Sequence, residues 1–122
     1  MEIERFNIGD WVMREGAICR VNITDYNHHI EVEPIPLTEG IAKENGWKND
    51  ENKIYWRKKY DYISLLIRFG YPNNSAVVYV ERGEWNIVAL RYVMYVHELQ
   101  HIVSALGLHD DLKKMNKTTK NM

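Results

Sequence analysis

The chain has 122 residues, of which 45% are hydrophobic and 27% charged, and its formal net charge is −1 at pH 7. These values predict one folded domain and exclude both a disordered chain and a bulk field that would attract nucleic acid or an anionic membrane. The start is acidic, at Glu2 and Glu4, and no apolar run follows it. We therefore expect a cytoplasmic protein with neither a signal peptide nor a membrane span.

The first third of the chain has the alternating pattern of β-strands. Residues 7–13 lead through the turn signal Glu15-Gly16 into residues 17–23, and the pattern predicts a β-hairpin. A third short strand is expected at residues 30–32, before the prolines at 34 and 36 end the sheet. This opening is typical of a small SH3-like, partly open barrel.

A short middle helix is expected next. Thr38 is a suitable N-cap, Glu39 places an acid in the first turn, and Gly46 follows the expected end near Asn45. Residues 49–52 read as a polar loop. Residues 62–69 and 76–81, joined by the turn residues 70–74, then predict a second hairpin, and residues 85–88 predict a further strand.

Residues 91–106 change to helical spacing, with Tyr92, Val96, Leu99, Val103 and Leu106 on one stripe and Gly107 as the stop. Together the elements predict an α+β fold: a small antiparallel sheet or SH3-like partly open barrel, with a short middle helix and a longer C-terminal helix packed on it. We assign residues 1–109 to a single α+β domain. Residues 110–122 are expected to form a frayed, lysine-rich tail.

The last predicted helix contains His97-Glu98-Leu99-Gln100-His101, which matches the H-E-x-x-H pattern of zinc peptidases. In that chemistry two histidines one turn apart bind zinc, and the glutamate activates the metal-bound water. The string predicts, as an alternative function, a zinc-dependent hydrolase with His97 and His101 as ligands, Glu98 as general base and zinc as cofactor.

Three observations favour a non-catalytic interpretation, without a cofactor. The five-residue string arises by chance in roughly one chain in fifty of this composition. A catalytic zinc needs a third protein ligand, and the chain has Ser104 and Gly107 where one extended pattern needs Gly and His. On a helical wheel His97 and His101 lie almost opposite the apolar stripe. We therefore expect both histidines and Glu98 to form a solvated or partner-facing helix surface.

A second candidate site is the basic and aromatic stretch at residues 53–60. It combines four cations with three aromatic residues, as single-stranded nucleic acid sites do to contact phosphates and stack bases. The alternative is a strand with alternate aromatic residues buried and lysines exposed. The predicted binding residues are Trp56, Arg57, Lys58, Lys59 and Tyr60.

Three stretches together resemble a family of small uncharacterised proteins from prophages and other mobile elements of Bacteroides-type bacteria. They are residues 8–12, residues 33–39, and residues 95–101 with 105–107 after them. The resemblance implies no activity, because the family has none assigned. In the family pattern the position of His101 is often Asn and that of Glu98 can be Gln, whereas this chain has the complete zinc-peptidase string.

The leading prediction is a non-catalytic accessory or interaction module of a mobile-element or phage-type family. An unidentified protein is the favoured partner, single-stranded nucleic acid is possible through residues 53–60, and a homo-oligomer is a third possibility. We expect no membrane partner. The single cysteine, Cys19, lies among alternating apolar residues, so a role as a small hydrophobic residue is favoured over that of a nucleophile.

Overall fold

The computed structural model describes residues 5–51, 53–70, 75–83, 86–109 and 112. The fold is α+β, as predicted, and its described part has two antiparallel sheets and three helices. The sheets have three and five strands, and neither is closed into a barrel. Contacts divide the chain into two compact units, residues 1–36 with 95–110 and residues 37–94 with 111–122. The assignment of one domain to residues 1–109 stays a prediction.

The first unit contains three strands and two helices, which are β1 (Trp11–Arg14), β2 (Ala17–Arg20), α1 (Ile23–Asn27), β3 (Glu33–Pro34) and α3 (Val96–Ala105). The second unit contains one helix and five strands, which are α2 (Glu39–Glu44), β4 (Lys48–Asn49), β5 (Trp56–Lys59), β6 (Ser64–Phe69), β7 (Ala76–Arg82) and β8 (Asn86–Val93).

The first unit is built on the predicted β1–β2 hairpin. The chain reverses at Glu15 and Gly16, which both have positive φ angles, of 52° and 81°. The strand predicted at residues 30–32 is wrong, because the third strand is β3, whose Pro34 lies opposite Val12. An edge strand tolerates proline, since its outer side needs no ladder hydrogen bond. A buried cluster lies in this unit, and it consists of Phe6, Val12, Val21 and Val32.

Helix α1 lies between the predicted strands at residues 17–23 and 30–32, where the sequence analysis predicts no helix. Its N-terminus is a capping box: the Asn22 side chain accepts from the Asp25 amide at 2.9 Å, and Asp25 Oδ2 accepts from the Asn22 amide at 3.1 Å. The buried Asp25 carboxylate also pairs with Arg14. These contacts make a five-residue helix stable where its length alone would not.

Helix α2 begins and ends as predicted. Thr38 Oγ1 accepts from the Ile41 amide at 3.2 Å, and Gly46 follows the helix with a φ angle of +90°. Trp47 is buried, and its amide donates to the Ala42 carbonyl. The local capping signals therefore determine both ends of this helix.

The five strands of the second unit form a meander in the order β4-β5-β6-β7-β8. The hairpin of β6 and β7 confirms the prediction, although its turn residues 71–74 lie outside the described part. A polar loop was predicted at residues 49–52, but Asn49 belongs to β4 and pairs with Trp56. The last strand was predicted at residues 85–88, and β8 is longer.

The predicted start of the last helix, near residue 91, is wrong. Tyr92 and Val93 belong to β8, and α3 begins only at Val96, with Tyr95 as its N-cap. Its end agrees with the prediction, since Gly107 follows with a φ angle of +75°. None of the helices in the described part is long and apolar enough to cross a membrane. The predicted tail lies outside the described residues except for Leu112, which is buried.

Candidate functional site

The zinc-peptidase-like string does not form an outward face of α3, so that prediction is wrong. His97 is 7% exposed and Gln100 is 3% exposed, and the His101 side chain is 30% exposed. The helix also buries the expected apolar stripe, including Val96, Leu99 and Val103. His97 and Gln100 are therefore buried beside the apolar stripe, whereas Glu98 and His101 stay partly exposed.

Gln100 joins α3 to the chain segment that enters β1. Its Oε1 atom accepts from the Trp11 amide at 2.8 Å, and its Nε2 atom donates to the Gly9 carbonyl at 3.2 Å. One side-chain amide thus satisfies a backbone donor and a backbone acceptor, as a neighbouring strand would. This pairing explains why a polar side chain is buried at this position.

His101 and His97 lie beside the same segment. His101 Nε2 donates to Asp10 Oδ2 at 2.7 Å, and this carboxylate also accepts from the Asn7 amide at 2.8 Å. The ring centroid of His97 lies 4.5 Å from that of Phe6 and 5.5 Å from that of His101. Both histidines therefore contact residues of the first unit, and His97 is buried there.

Glu98 caps α3. The Tyr95 amide donates to Glu98 Oε1 at 3.0 Å, so the carboxylate satisfies one of the amides that the first turn leaves without an intrahelical acceptor. The charge also interacts favourably with the positive end of the helix dipole. The carboxylate of Glu98 therefore stabilises the start of α3.

The residues of the string do not fit a catalytic zinc. His101 Nε2 lies 2.7 Å from Asp10 Oδ2, so this nitrogen is already engaged in a contact with another side chain of the protein. Among the described residues, no group of three or more His, Cys, Asp or Glu side chains is arranged to hold a metal ion. We therefore derive no metal chemistry from His97, Glu98 and His101.

Cys19 also has the environment of a structural residue. It packs, half-buried, against the cluster that contains Phe6 and Val12. Burial raises the pKa of the Cys19 thiol, Arg14 opposes this shift, and Asp25 adds to it. A raised pKa lowers the fraction of the nucleophilic thiolate.

The predicted binding stretch is divided between the two faces of the second unit's sheet, because alternate residues of a strand point in opposite directions. Trp56 and Lys58 face α2: Trp56 Nε1 donates to Glu39 Oε1 at 3.2 Å, and Lys58 Nζ donates to the Asn45 carbonyl at 2.7 Å. Lys58 Nζ also lies 5.9 Å from the ring centroid of Tyr60. Three of the five predicted residues therefore take part in packing on the helix side.

Arg57 and Lys59 lie on the opposite face and are exposed. Arg57 Nη1 donates to Glu81 Oε1 at 2.8 Å, which places Glu81 on the same face. Strand pairing adds a third exposed cation, since Lys48 lies directly opposite Arg57 on the neighbouring strand. A cleft of about 470 Å³ opens here, and its lining includes Arg57, Lys59, Glu81 and Asp61.

Tyrosine side chains continue this face towards the other edge of the sheet. Tyr79 lies in the same row as Arg57, and its ring meets that of Tyr55 edge-on, with 5.6 Å between centroids. Tyr92 lies opposite Val77 and is 60% exposed. Residues directly opposite one another, and residues two apart in a strand, share a face. We call this surface the open sheet face. The same register places the buried Leu66 and Val77 on this side of the sheet. Its charged and tyrosine side chains are Lys48, Tyr55, Arg57, Lys59, Arg68, Tyr79, Glu81 and Tyr92.

The edge strand β8 has a different character. Its exposed side chains include Ile87 at 50%, Val88 at 51% and Leu90 at 38%. The register with β7 shifts next to Tyr79, so that Leu90 is an extra residue and forms a bulge. Exposed apolar edges favour pairing with another strand, whereas a bulge limits it.

Comparisons of the chain with protein-family models, curated proteins and solved structures found no match. The resemblance to a mobile-element family stays a prediction. The sequence interpretation found Arg57 and Lys59 but missed the four cations and tyrosines of the open sheet face that lie outside residues 53–60. An available signal was the alternation along each strand, which places every second residue on one side. The missed residues are Lys48, Arg68, Tyr79 and Tyr92.

Proposed function

We propose that this chain is a non-catalytic interaction module that binds an anionic partner through the open sheet face. The observation that carries the proposal is the composition of that face. Four cations and three tyrosines share it with the carboxylate of Glu81, and a second carboxylate, that of Asp61, lines the adjoining cleft. The formal net charge of the whole chain is −1, so this local excess of positive charge is not a consequence of overall composition.

The non-catalytic part of the proposal is supported by the contacts of the zinc-peptidase-like string. Glu98 caps a helix, Gln100 binds two backbone groups, and His101 donates to Asp10. Each group that could perform catalysis there has a structural role. We retain the mobile-element family as part of this proposal, on the three stretches that carry the resemblance.

Retention on immobilised heparin, a model polyanion, tests the proposal. The variant Arg57→Gln/Lys59→Gln removes two exposed cations of the open sheet face. A matched variant, Arg5→Gln/Lys43→Gln, removes one arginine and one lysine that are exposed elsewhere. We expect the first variant to elute at clearly lower salt than the second, because only the first changes the surface that contacts the polyanion.

Two results would overturn the proposal. One is a wild-type chain that does not bind heparin at about 50 mM salt, where phosphate-type contacts are strong. The other is equal elution of the two double variants, which would mean that retention follows total charge. Thermal unfolding of each variant shows whether the fold is intact.

A second candidate function, self-association, is favoured by the exposed apolar side chains of β8. Two copies of an edge strand can pair antiparallel with two-fold symmetry. Centring that pairing between Ala89 and Leu90 sets Arg91 of one copy opposite Val88 of the other. The two like charges then avoid direct opposition, which would be destabilising.

Sedimentation over a range of protein concentrations tests self-association. We expect a concentration-dependent dimer that Val88→Lys abolishes, because lysine on an edge opposes strand pairing. Lys59→Ala, on β5 and three strands away from β8, serves as a control. A monomer at all concentrations, or a dimer that Val88→Lys does not change, would refute this candidate.

A further inference from the structure

We infer that the anionic partner of the open sheet face is a single-stranded nucleic acid. The inference rests on the proposed function and specifies its ligand. A generic polyanion needs only cations, whereas this face also presents aromatic rings beside them. Bases that are not paired stack on such rings, and stacking is tolerant of sequence because every base has a flat π-face.

The rings are placed so that a strand could contact them in succession. Tyr55 and Tyr79 touch edge-on, so they form a continuous aromatic surface in the middle of the sheet. Tyr92 lies diagonal to Tyr79, since its direct partner on β7 is Val77. Diagonal neighbours on a sheet are roughly 7–8 Å apart. The 60% exposure of Tyr92 leaves its ring available for stacking.

The cations lie beside the rings, as a sugar-phosphate backbone requires. Arg57 follows Tyr55 by two residues in the chain, and Lys59 follows Arg57 by two, so the three side chains line one face of β5 and its entry. Lys48 extends the cationic side to the edge strand β4. The Lys59 side chain makes no hydrogen bond or ion pair with any residue that the structure describes, so a phosphate would not have to displace a protein carboxylate there.

The width of the sheet disfavours a duplex. Five strands with spacings of about 4.8 Å make a surface roughly 19 Å across. The major groove of B-DNA is about 12 Å wide and admits a helix or a two-stranded ribbon, so this face cannot enter it. A duplex also keeps its bases stacked internally, where the tyrosines cannot reach them. An unpaired strand can lie flat on the face and offer both bases and phosphates.

Fluorescence anisotropy with labelled 15-nucleotide probes tests the inference. The probes are oligo(dT), oligo(rU) and a mixed-sequence duplex of the same length, all at about 50 mM salt. We expect the single strands to bind and the duplex to bind more weakly. Tyr92→Ala should weaken single-strand binding roughly 5- to 100-fold, because one stacked base is lost, whereas Tyr92→Phe should retain it.

The salt dependence gives a separate measure of the phosphate contacts. For Arg57→Gln/Lys59→Gln, the slope of log K against log salt concentration should fall in magnitude by about 1.4, since each phosphate contact contributes roughly 0.7 for a single strand. The matched variant Arg5→Gln/Lys43→Gln should keep the wild-type slope. An unchanged slope in the first variant would place the phosphates elsewhere and overturn the inference.

The two proposals fail in distinguishable ways. If heparin retention depends on Arg57 and Lys59 but single strands bind no better than the duplex, the inference is wrong and the proposed function stands. The same conclusion follows if Tyr92→Ala binds oligo(dT) like wild type. If neither heparin nor any oligonucleotide binds, both fail. Tighter binding of oligo(rU) than oligo(dT) would identify RNA as the ligand, since the 2′-hydroxyl distinguishes the two sugars.

Discussion

Helix α3 and the open sheet face present opposite relations between a sequence pattern and a surface. In α3, five consecutive residues match a known catalytic pattern, yet Gln100 and His101 form hydrogen bonds inside the first unit. On the sheet, residues from position 48 to position 92 match no motif, yet strand pairing brings them to one face. The contiguous motif lies in the interior, and the dispersed residues form the surface.

The difference follows from how each element is buried. When a helix buries residues beside its apolar stripe as well as the stripe itself, those polar residues must find partners within the protein. A sheet covered by a helix on one side exposes alternate residues on the other. Polar residues that match a functional pattern therefore indicate function only once it is known which sides of their helix or strand are buried.

The largest effect on stability is expected at Gln100, and its absence would contradict this comparison. Gln100→Ala removes two hydrogen bonds to backbone groups, so we expect the free energy of unfolding to fall by about 2 kcal/mol. Urea titration measures the change. Ser104→Ala, at an exposed position of the same helix, is the control and should change stability by less than about 0.5 kcal/mol. If Gln100→Ala were as stable as the wild type, the hydrogen bonds of Gln100 would not contribute to the stability of the fold.

A smaller effect is expected at the helix cap. Glu98→Ala should cost about 1 kcal/mol, because the Tyr95 amide loses its acceptor. Glu98→Gln retains an acceptor oxygen and should cost less than half of that. Thermal unfolding of both variants separates the two roles of the residue. A general base would instead make Glu98→Gln inactive in a peptidase assay while the stability of the two variants did not differ.

On the open sheet face, the ion pair between Arg57 and Glu81 should contribute little. The Arg57 side chain is 44% exposed, and solvent screens such a pair. A double-mutant cycle with Arg57→Ala and Glu81→Ala should give a coupling energy of about 0.5 kcal/mol or less. A coupling above about 1.5 kcal/mol would mark the pair as structural, and the face would then resemble α3.

The smallest expected effect is that of metal. Protein purified without added metal should contain zinc far below one atom per chain, and a chelator should leave the melting temperature unchanged. Elemental analysis and thermal unfolding measure the two quantities. If the protein contained about one zinc atom per chain and His101→Asn lost it, the zinc-dependent hydrolase would again be the favoured function. Asp10, which contacts His101, would then be the first residue to test as a further ligand.

The parts of the fold that local chemistry determines were predictable. Thr38 and Gly46 mark the ends of α2 because a hydroxyl cap and a left-handed glycine act within one turn. Helix α1 was missed although its capping box, Asn22 with Asp25, is also local. Weighting the carboxylate three residues after Asn22 would have revealed it.

Non-local packing decided the remainder. Residues 91–93 fit a helical stripe, but pairing of Tyr92 with Val77 makes them a strand. A wheel with one buried stripe sent His97 outward, whereas Phe6 packs on its ring from a segment about ninety residues away in the chain. The open sheet face likewise depends on the register of five strands. A segment of ten or fifteen residues does not predict any of these pairings, because the partners are far apart in the chain.

The bonds from Gln100 to Gly9 and Trp11 span 91 and 89 residues of the chain. During synthesis, residues 37–94 leave the ribosome as a continuous block, with all five strands of their sheet, before α3 exists. The hairpin of β1 and β2 must wait until residues 96–105 are synthesised to receive its helix. Because closing such a long loop costs entropy before contacts repay it, the first unit should be the slower to mature and the more dependent on chaperones.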